Sequence, residues 1–94
     1  MVTAFVLIRA RRDMVNRSAE ALAELDGVAE VYSVAGKWDL VAVIRVSTSE
    51  QMADVVTNHM LKLEGIVKTT TLIAFRAYSK HDLERMFAIG LEES

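Results

Sequence analysis

The stretch Leu25-Asp26-Gly27-Val28-Ala29-Glu30 recurs later in the chain as Leu63-Glu64-Gly65-Ile66-Val67-Lys68. In both copies a leucine and an acidic residue precede a glycine, and apolar residues follow it. Glycine suits the left-handed backbone that ends a helix, so each copy predicts a helix end that leads into a strand. The repeat therefore indicates a chain built from two β-α-β halves.

Around the first copy, the pattern predicts a strand, a helix and a hairpin. Residues 2–9 (VTAFVLIR) are apolar and rich in β-formers, as in a strand. Asp13 is placed to cap the helix that follows, whose apolar residues recur at helical spacing. Residues 28–35 (VAEVYSVA) and 38–46 (WDLVAVIRV) predict two strands joined by a tight turn at Gly36.

The second half repeats this order with a longer final strand. Ser47 and Glu50 fit a capping box at the start of a helix. The apolar stripe of that helix consists of Met52, Val55, Val56, His59, Met60 and Leu63. Residues 66–77 predict the fourth strand, and Ser79 with Asp82 predicts the start of a short last helix.

These elements predict an α+β fold, the ferredoxin-like βαββαβ arrangement with a C-terminal helix. We expect a single domain over residues 1–94, with its core over residues 2–77 and the last helix over about residues 80–91.

Both faces of the predicted sheet carry apolar side chains. In the first strand, Val6 and Ile8 share one face, whereas Phe5 and Leu7 lie on the other. Right-handed crossovers place both long helices on one face of the sheet, so the opposite face needs another cover. We expect sheet-to-sheet packing of two copies into a dimeric α/β barrel, burying about 1,500 Å² or more.

Composition excludes several classes of protein. The 94 residues include no cysteine, which removes disulfide frameworks, thiolate metal sites and cysteine nucleophiles. Eleven basic residues are balanced by 13 acidic ones, so direct nucleic-acid binding is not expected. The basic cluster at Arg9, Arg11, Arg12 and Arg17 is best interpreted as a solvated strand-to-helix junction, with a phosphate-tracking surface as the alternative. No apolar run is long enough to cross a membrane, and we expect a cytoplasmic protein without a membrane partner.

The chain offers weak candidates for catalysis. His59 lies on the apolar helix stripe, which favours a buried structural histidine, and His81 falls in the first turn of the last predicted helix, where it would be solvated. Neither histidine has a partner at metal-ligand spacing. We expect no catalytic residue, no metal site and no cofactor.

The segment Gly36-Lys37-Trp38-Asp39-Leu40 is the first candidate for binding, because a carboxylate beside a strand is costly if it is buried and unpaired. In one interpretation, Asp39 caps amides of its own turn and Gly36 supplies a positive φ. In the other, free turn amides and the carboxylate form a recess that fits the carboxylate and the ammonium of an amino acid.

The second candidate is Thr69-Thr70-Thr71 in the fourth strand. Threonines are good strand formers, which is a sufficient structural reason for their presence. The two-residue period of a strand nevertheless places Thr69 and Thr71 on one face, where they would present two hydroxyls side by side.

The pattern that joins these segments is Val28-x-x-Val31-Tyr32-x-Val34-x-Gly36-x-x-Asp39-Leu40, then a capped helix, then Leu63-x-Gly65-Ile66-x-x-Thr69-x-Thr71. It resembles the effector domain, or RAM domain, of Lrp/AsnC transcription regulators. The resemblance implies dimers that pair through their sheets, higher oligomers, and an amino-acid effector bound between dimers. The effector-binding residues that it implies are Gly36, Lys37, Trp38, Asp39, Thr69 and Thr71.

Members of that family carry a helix-turn-helix unit before the effector domain, whereas Met1 here leads straight into the first strand. We therefore expect a stand-alone form that does not bind DNA by itself and that pairs with a full-length Lrp/AsnC-type regulator. One alternative is a small dimeric α/β-barrel enzyme, monooxygenase- or isomerase-like, with His59 or His81 catalytic. Another is an oligomerisation module without a ligand, in which Asp39 only shapes its turn.

Overall fold

A computed structural model describes residues 1–80 and shows a four-stranded antiparallel sheet with two helical segments. The strands lie in the order β2-β3-β1-β4. They are β1 (Val2–Ala10), β2 (Val28–Ser33), β3 (Leu40–Val46) and β4 (Ile66–Ala74). This order along the chain confirms the predicted ferredoxin-like βαββαβ fold. The predicted C-terminal helix, with His81, lies outside the described residues.

The helical segments are less regular than their sequence pattern suggests. A 3₁₀ turn (Arg12–Met14) leads into α1 (Val15–Ala23). Helix α2 (Ser49–Asp54) continues as a π turn (Val55–His59) and then as a 3₁₀ turn (Met60–Lys62). None of the helices described is long and apolar enough to cross a membrane.

The core lies between the sheet and these helical segments. On the helix-facing side of β1 and β3, the residues with no exposed surface are Ala4, Val6, Ile8, Leu40, Ala42 and Ile44. The helical segments contribute Leu22, Met52, Val55 and Met60 to the same cluster. Because apolar burial is the main favourable term in folding, this layer fixes which face of each strand remains available.

The two glycines of the sequence repeat adopt the left-handed conformation that their pattern predicts. Gly27 and Gly65 both have φ of +92°. A Cβ on Gly65 would lie 2.8 Å from Ser18 Oγ, and one on Gly27 would lie 2.9 Å from Val46 Cγ1. Backbone conformation and close packing therefore both require glycine at these positions.

The predicted helix caps differ from those observed. The residue that caps α2 is Thr48, whose Oγ1 accepts the Gln51 amide at 3.1 Å, while Gln51 Oε1 accepts the amides of Thr48 at 3.2 Å and Ser47 at 2.8 Å. The capping box predicted from Ser47 and Glu50 is thus one residue too early. Asp13 does not cap α1, because the 3₁₀ turn comes first, and its carboxylate instead lies 3.3 Å from Arg11 Nη2.

His59 is exposed, which corrects its prediction as a buried histidine. The π turn inserts one extra residue into the helical period, so the buried stripe passes from Val55 to Met60 instead of to His59. The same turn brings His59 Nε2 to 3.2 Å from Asp54 Oδ2.

Among residues 1–80, little packs on the sheet face that points away from the helices, and we call it the open face. Its strand positions follow from the registers of β1 with β3 and β4. Phe5 is 40% exposed and Leu72 is 49% exposed at its centre. The prediction that both faces carry apolar surface is confirmed for this sheet.

Candidate functional site

The turn between β2 and β3 is fastened to the end of β1 by Asp39. The Asp39 amide donates to the Ile8 carbonyl at 2.9 Å, and Asp39 Oδ2 accepts the Ala10 amide at 2.9 Å. The Asp39 carbonyl accepts the Val34 amide at 3.0 Å and closes the turn. Asp39 therefore caps an amide of β1 and not the amides of its own turn, which corrects the structural interpretation of this residue.

The rest of the turn keeps free hydrogen-bonding groups. Within the described residues, Asp39 Oδ1 and the amides of Gly36, Lys37 and Trp38 make no hydrogen bond. Gly36 has φ of +111°, and a Cβ there would meet no atom within 4 Å. Glycine is therefore required at this position only by the positive φ angle, because the space beside its Cα is open.

Trp38 lies outside β3, which begins only at Leu40. Its ring centroid is 5.8 Å from Arg9 Cζ and 5.9 Å from Lys68 Nζ. Arg9 and Lys68 are paired across β1 and β4 on the open face. Trp38 therefore meets open-face residues, although the two-residue period of the predicted strand over residues 38–46 would place it on the same face as Leu40. The sequence alone does not identify Arg9 and Lys68 as neighbours of Trp38, because they are far apart along the chain and only the register of β1 with β4 brings them together.

The two threonines lie on the other side of the sheet. Thr69 is opposite Ile8 and Thr71 is opposite Val6, and both of these β1 residues face the helices. Thr71 lines a groove of about 420 Å³ between α2 and β4, together with Met52 and Ile73. The predicted site residues thus form two groups. The β2–β3 turn meets the open face through Trp38, whereas Thr69 and Thr71 lie on the helix-facing side of the same sheet.

The open face contains one carboxylate in its strands, and that carboxylate is already engaged. The Tyr32 hydroxyl donates to Glu30, and Arg45 Nη1 lies 2.9 Å from Glu30 Oε1. The hydrogen bond from Tyr32, followed by that from Arg45, lowers the pKa of Glu30 below its ordinary value. Glu30 therefore remains ionised and neutralises Arg45, but it does not reach the pair of Arg9 and Lys68.

A cleft of about 880 Å³ lies elsewhere, between the end of α1 and the start of α2. His59 and Asp54 line it, with side chains 52% and 54% exposed. Hydrogen bonding from Asn58, and then the nearby His59, lower the pKa of Asp54. His59 and Asp54 therefore form a solvent-exposed pair. The chain from Met1 to Lys80 shows no cluster of three potential metal ligands.

Comparison with known proteins agrees with this fold. The Lrp/AsnC ligand-binding domain model matches residues 3–83. A helix-turn-helix-type transcriptional regulator of Pyrococcus horikoshii, itself uncharacterized, is 38% identical over 76 residues, which cover 78% of this chain and 51% of the regulator. The chain thus spans about half the length of the curated relatives that it matches.

Solved structures share the same architecture. The crystal structure of TTHA0845 from Thermus thermophilus is 56% identical, with a TM-score of 0.81 over 85% of this chain and all of that one. A feast or famine regulatory protein from M. tuberculosis is 23% identical, with a TM-score of 0.71 over 85% of this chain and 54% of that one, and shows the shared fold. Given the match to the family model over most of its length, the chain belongs to the Lrp/AsnC family, in which it corresponds to the ligand-binding domain.

Proposed function

We propose that this chain is a regulatory module that binds a small effector, an amino acid, at a site shared between subunits. In this proposal the bound effector modulates the assembly or the activity of transcription regulators. The family model is that of a ligand-binding domain, and the curated relatives are transcription regulators. The M. tuberculosis neighbour is described as complexed with L-methionine, which makes an amino acid the first ligand to test.

The observation that carries the shared site is the division of the candidate residues between two sides of one sheet. The β2–β3 turn meets the open face through Trp38, whereas Thr71 borders the groove on the helix side. Side chains on opposite faces of a strand cannot reach one small ligand. If both groups bind the effector, the turn and the threonines must come from different chains.

The turn has the chemistry that an amino acid requires. Asp39 Oδ2 accepts the Ala10 amide, whereas Oδ1 makes no hydrogen bond within the described residues and is available to accept from an ammonium. The unpaired amides of Gly36, Lys37 and Trp38 are donors for a carboxylate, as in other concave backbone sites for anions. In the proposal, Thr69 and Thr71 of a neighbouring chain add hydroxyl contacts.

The proposal includes a homodimer formed through the open faces, with further assembly into higher oligomers. Exposed apolar surface of this extent usually marks an interface. We expect Phe5→Lys to shift the sedimentation coefficient towards the monomer, because it places a charge at the centre of that surface. Leu61→Lys, at an apolar residue 49% exposed on the helical side, is the matched control and should leave the dimer intact. A wild-type monomer at micromolar concentration would overturn this part.

The proposal assigns the chain no catalytic activity and places it in the cytoplasm with the regulators of its family. His59 and Asp54 are exposed in an open cleft that contains none of the candidate binding residues. Because the curated relatives that the chain matches are transcription regulators, pairing with a full-length Lrp/AsnC-type regulator through the same interfaces is part of the proposal, and direct contact of this chain with DNA is not.

A thermal-shift screen of the twenty amino acids tests the proposal. A ligand that binds only the folded state raises the unfolding midpoint as its concentration increases. We expect at least one amino acid to do so, and Asp39→Asn to abolish the shift while leaving the fold intact. If no amino acid shifts the midpoint of the wild-type protein, the effector proposal is wrong and the interpretation as a simple oligomerisation module is preferred.

A further inference from the structure

Arg9 and Lys68 stand directly opposite each other on β1 and β4. Like charges at directly opposed positions of a sheet repel each other. In residues 1–80 the carboxylates that form ion pairs are those of Asp13, Glu30 and Asp54, and none of these pairs includes Arg9 or Lys68. Within residues 1–80, this end of the open face therefore holds two adjacent cations that form no ion pair.

The indole ring of Trp38 holds the two cations together. Both charged groups lie within 6 Å of its centroid, a distance at which the ring attracts cations. Arg9 Nη2 also donates to the Lys37 carbonyl at 3.1 Å, which fixes the guanidinium beside the turn. A guanidinium has five N–H donors and an ammonium has three, so most donors of this pair are free.

A second copy of the chain does not supply the missing charge through its sheet. The strand positions of the open face carry Arg9, Arg45 and Lys68 against the single carboxylate of Glu30, which Arg45 and a tyrosine hydroxyl already engage. Two such faces packed together would bring more cations into proximity and no free carboxylate.

We propose that Arg9, Lys68 and Trp38 form a binding site for the oxyanion group, a carboxylate or a phosphate, of a small ligand. Charge-assisted hydrogen bonds from the guanidinium and the ammonium bind the oxyanion, and the indole ring keeps both donors in place. This site goes beyond the proposed function, because it binds the oxyanion through the side chains of Arg9 and Lys68 and not through the turn amides proposed for an amino acid. Neither Arg9 nor Lys68 belongs to the residues implied by the family pattern.

Trp38 is the only tryptophan of the chain, so its fluorescence reports on this site and on the adjoining β2–β3 turn. We would titrate the full-length protein with inorganic phosphate and, separately, with succinate, keeping the ionic strength constant with chloride and checking the oligomeric state by sedimentation. We expect a saturable change in emission. Tighter binding of phosphate would indicate a phosphorylated ligand, and tighter binding of succinate a carboxylate.

The variants Arg9→Gln and Lys68→Gln should each lower the affinity for the oxyanion by about tenfold, because each removes one charged hydrogen bond. Arg76→Gln removes an exposed positive charge beyond the end of β4 and is the matched control. It should leave the concentration of phosphate or succinate at half-maximal fluorescence change the same as in the wild type. Lys68→Gln should fold at least as stably as the wild type, because it relieves the repulsion between opposed cations, and circular dichroism would verify this.

A change in emission that is linear in concentration, or that is the same in wild type and Lys68→Gln, would mean an adventitious ion only and would overturn the inference. Amino acids that bind Lys68→Gln as well as wild type, without a saturable oxyanion response, would leave the proposed function standing and remove this site. A saturable response to phosphate or succinate, without binding of any amino acid, would support this site and overturn the effector proposal.

Discussion

Replacement of Asp39 by alanine should destabilise the fold, and replacement by asparagine should do so much less. Asp39 Oδ2 accepts the Ala10 amide at 2.9 Å, and Ala10 is only 6% exposed. Asp39→Ala would leave this amide buried without a partner, which costs about 1–3 kcal/mol. Asp39→Asn keeps an acceptor oxygen and loses only the charge, so we expect a cost of about 1 kcal/mol.

Urea denaturation at fixed protein concentration would measure these free energies of unfolding, and each kcal/mol should lower the thermal midpoint by about 4–8 °C for a domain of this size. Asp13→Ala is the matched control. Its carboxylate is 70% exposed and pairs only with Arg11, so its loss should change stability by less than about 1 kcal/mol. Equal stability of the wild type and Asp39→Ala would refute the role of Asp39 in fastening the turn to β1.

Two further predictions concern the glycines and the open face. Gly65→Ala should cost about 2–5 kcal/mol, from the left-handed backbone and from a Cβ without space, whereas Gly36→Ala should cost only about 1–2 kcal/mol because the space beside it is open; equal losses in urea denaturation would contradict this. The carboxyl of Glu30, followed by NMR, should titrate below its ordinary pKa, and Tyr32→Phe should raise that pKa more than Arg45→Gln does, because the tyrosine hydrogen bond is the larger cause. Because the folded-state pKa of Glu30 is lowered, the contribution of its hydrogen bonds to the free energy of unfolding is complete above the unfolded-state pKa. It is lost as the pH falls through the folded-state pKa. An unchanged pKa of Glu30 in Tyr32→Phe would exclude the hydrogen bond from Tyr32.

The order of strands and helices could be predicted from the sequence, because local signals agree with each other. The repeat places glycines with positive φ at Gly27 and Gly65, where the structure also leaves no space for a side chain. The two-residue period of β1 correctly places Val6 and Ile8 on one face, which the structure buries, and Phe5 on the other, which is 40% exposed. These signals depend on residues that are neighbours along the chain, so a single sequence contains them.

The errors arose where tertiary structure changed the local period. The π turn shifts the helical phase by one residue, so His59 is exposed although Met60, predicted on the same stripe, is buried. Trp38 precedes the first residue of β3, Leu40, so the two-residue period of that strand does not apply to it. The pairing of distant segments, and with it the separation of Thr71 from the turn, depends on register that no single segment specifies.

The shared site can be tested most directly by mixing two variants that are each deficient in one part of it. Asp39→Asn should remove the ammonium acceptor, and Thr71→Val should remove a hydroxyl while keeping the shape of the side chain. Each variant alone should fail to bind the amino acid that gives the largest thermal shift, by isothermal titration calorimetry. After refolding together in equal amounts, about one quarter of the sites should be intact, because a site with an unmodified turn from one chain and an unmodified threonine from another forms with that frequency. No recovery of binding in the mixture would contradict a site shared between chains.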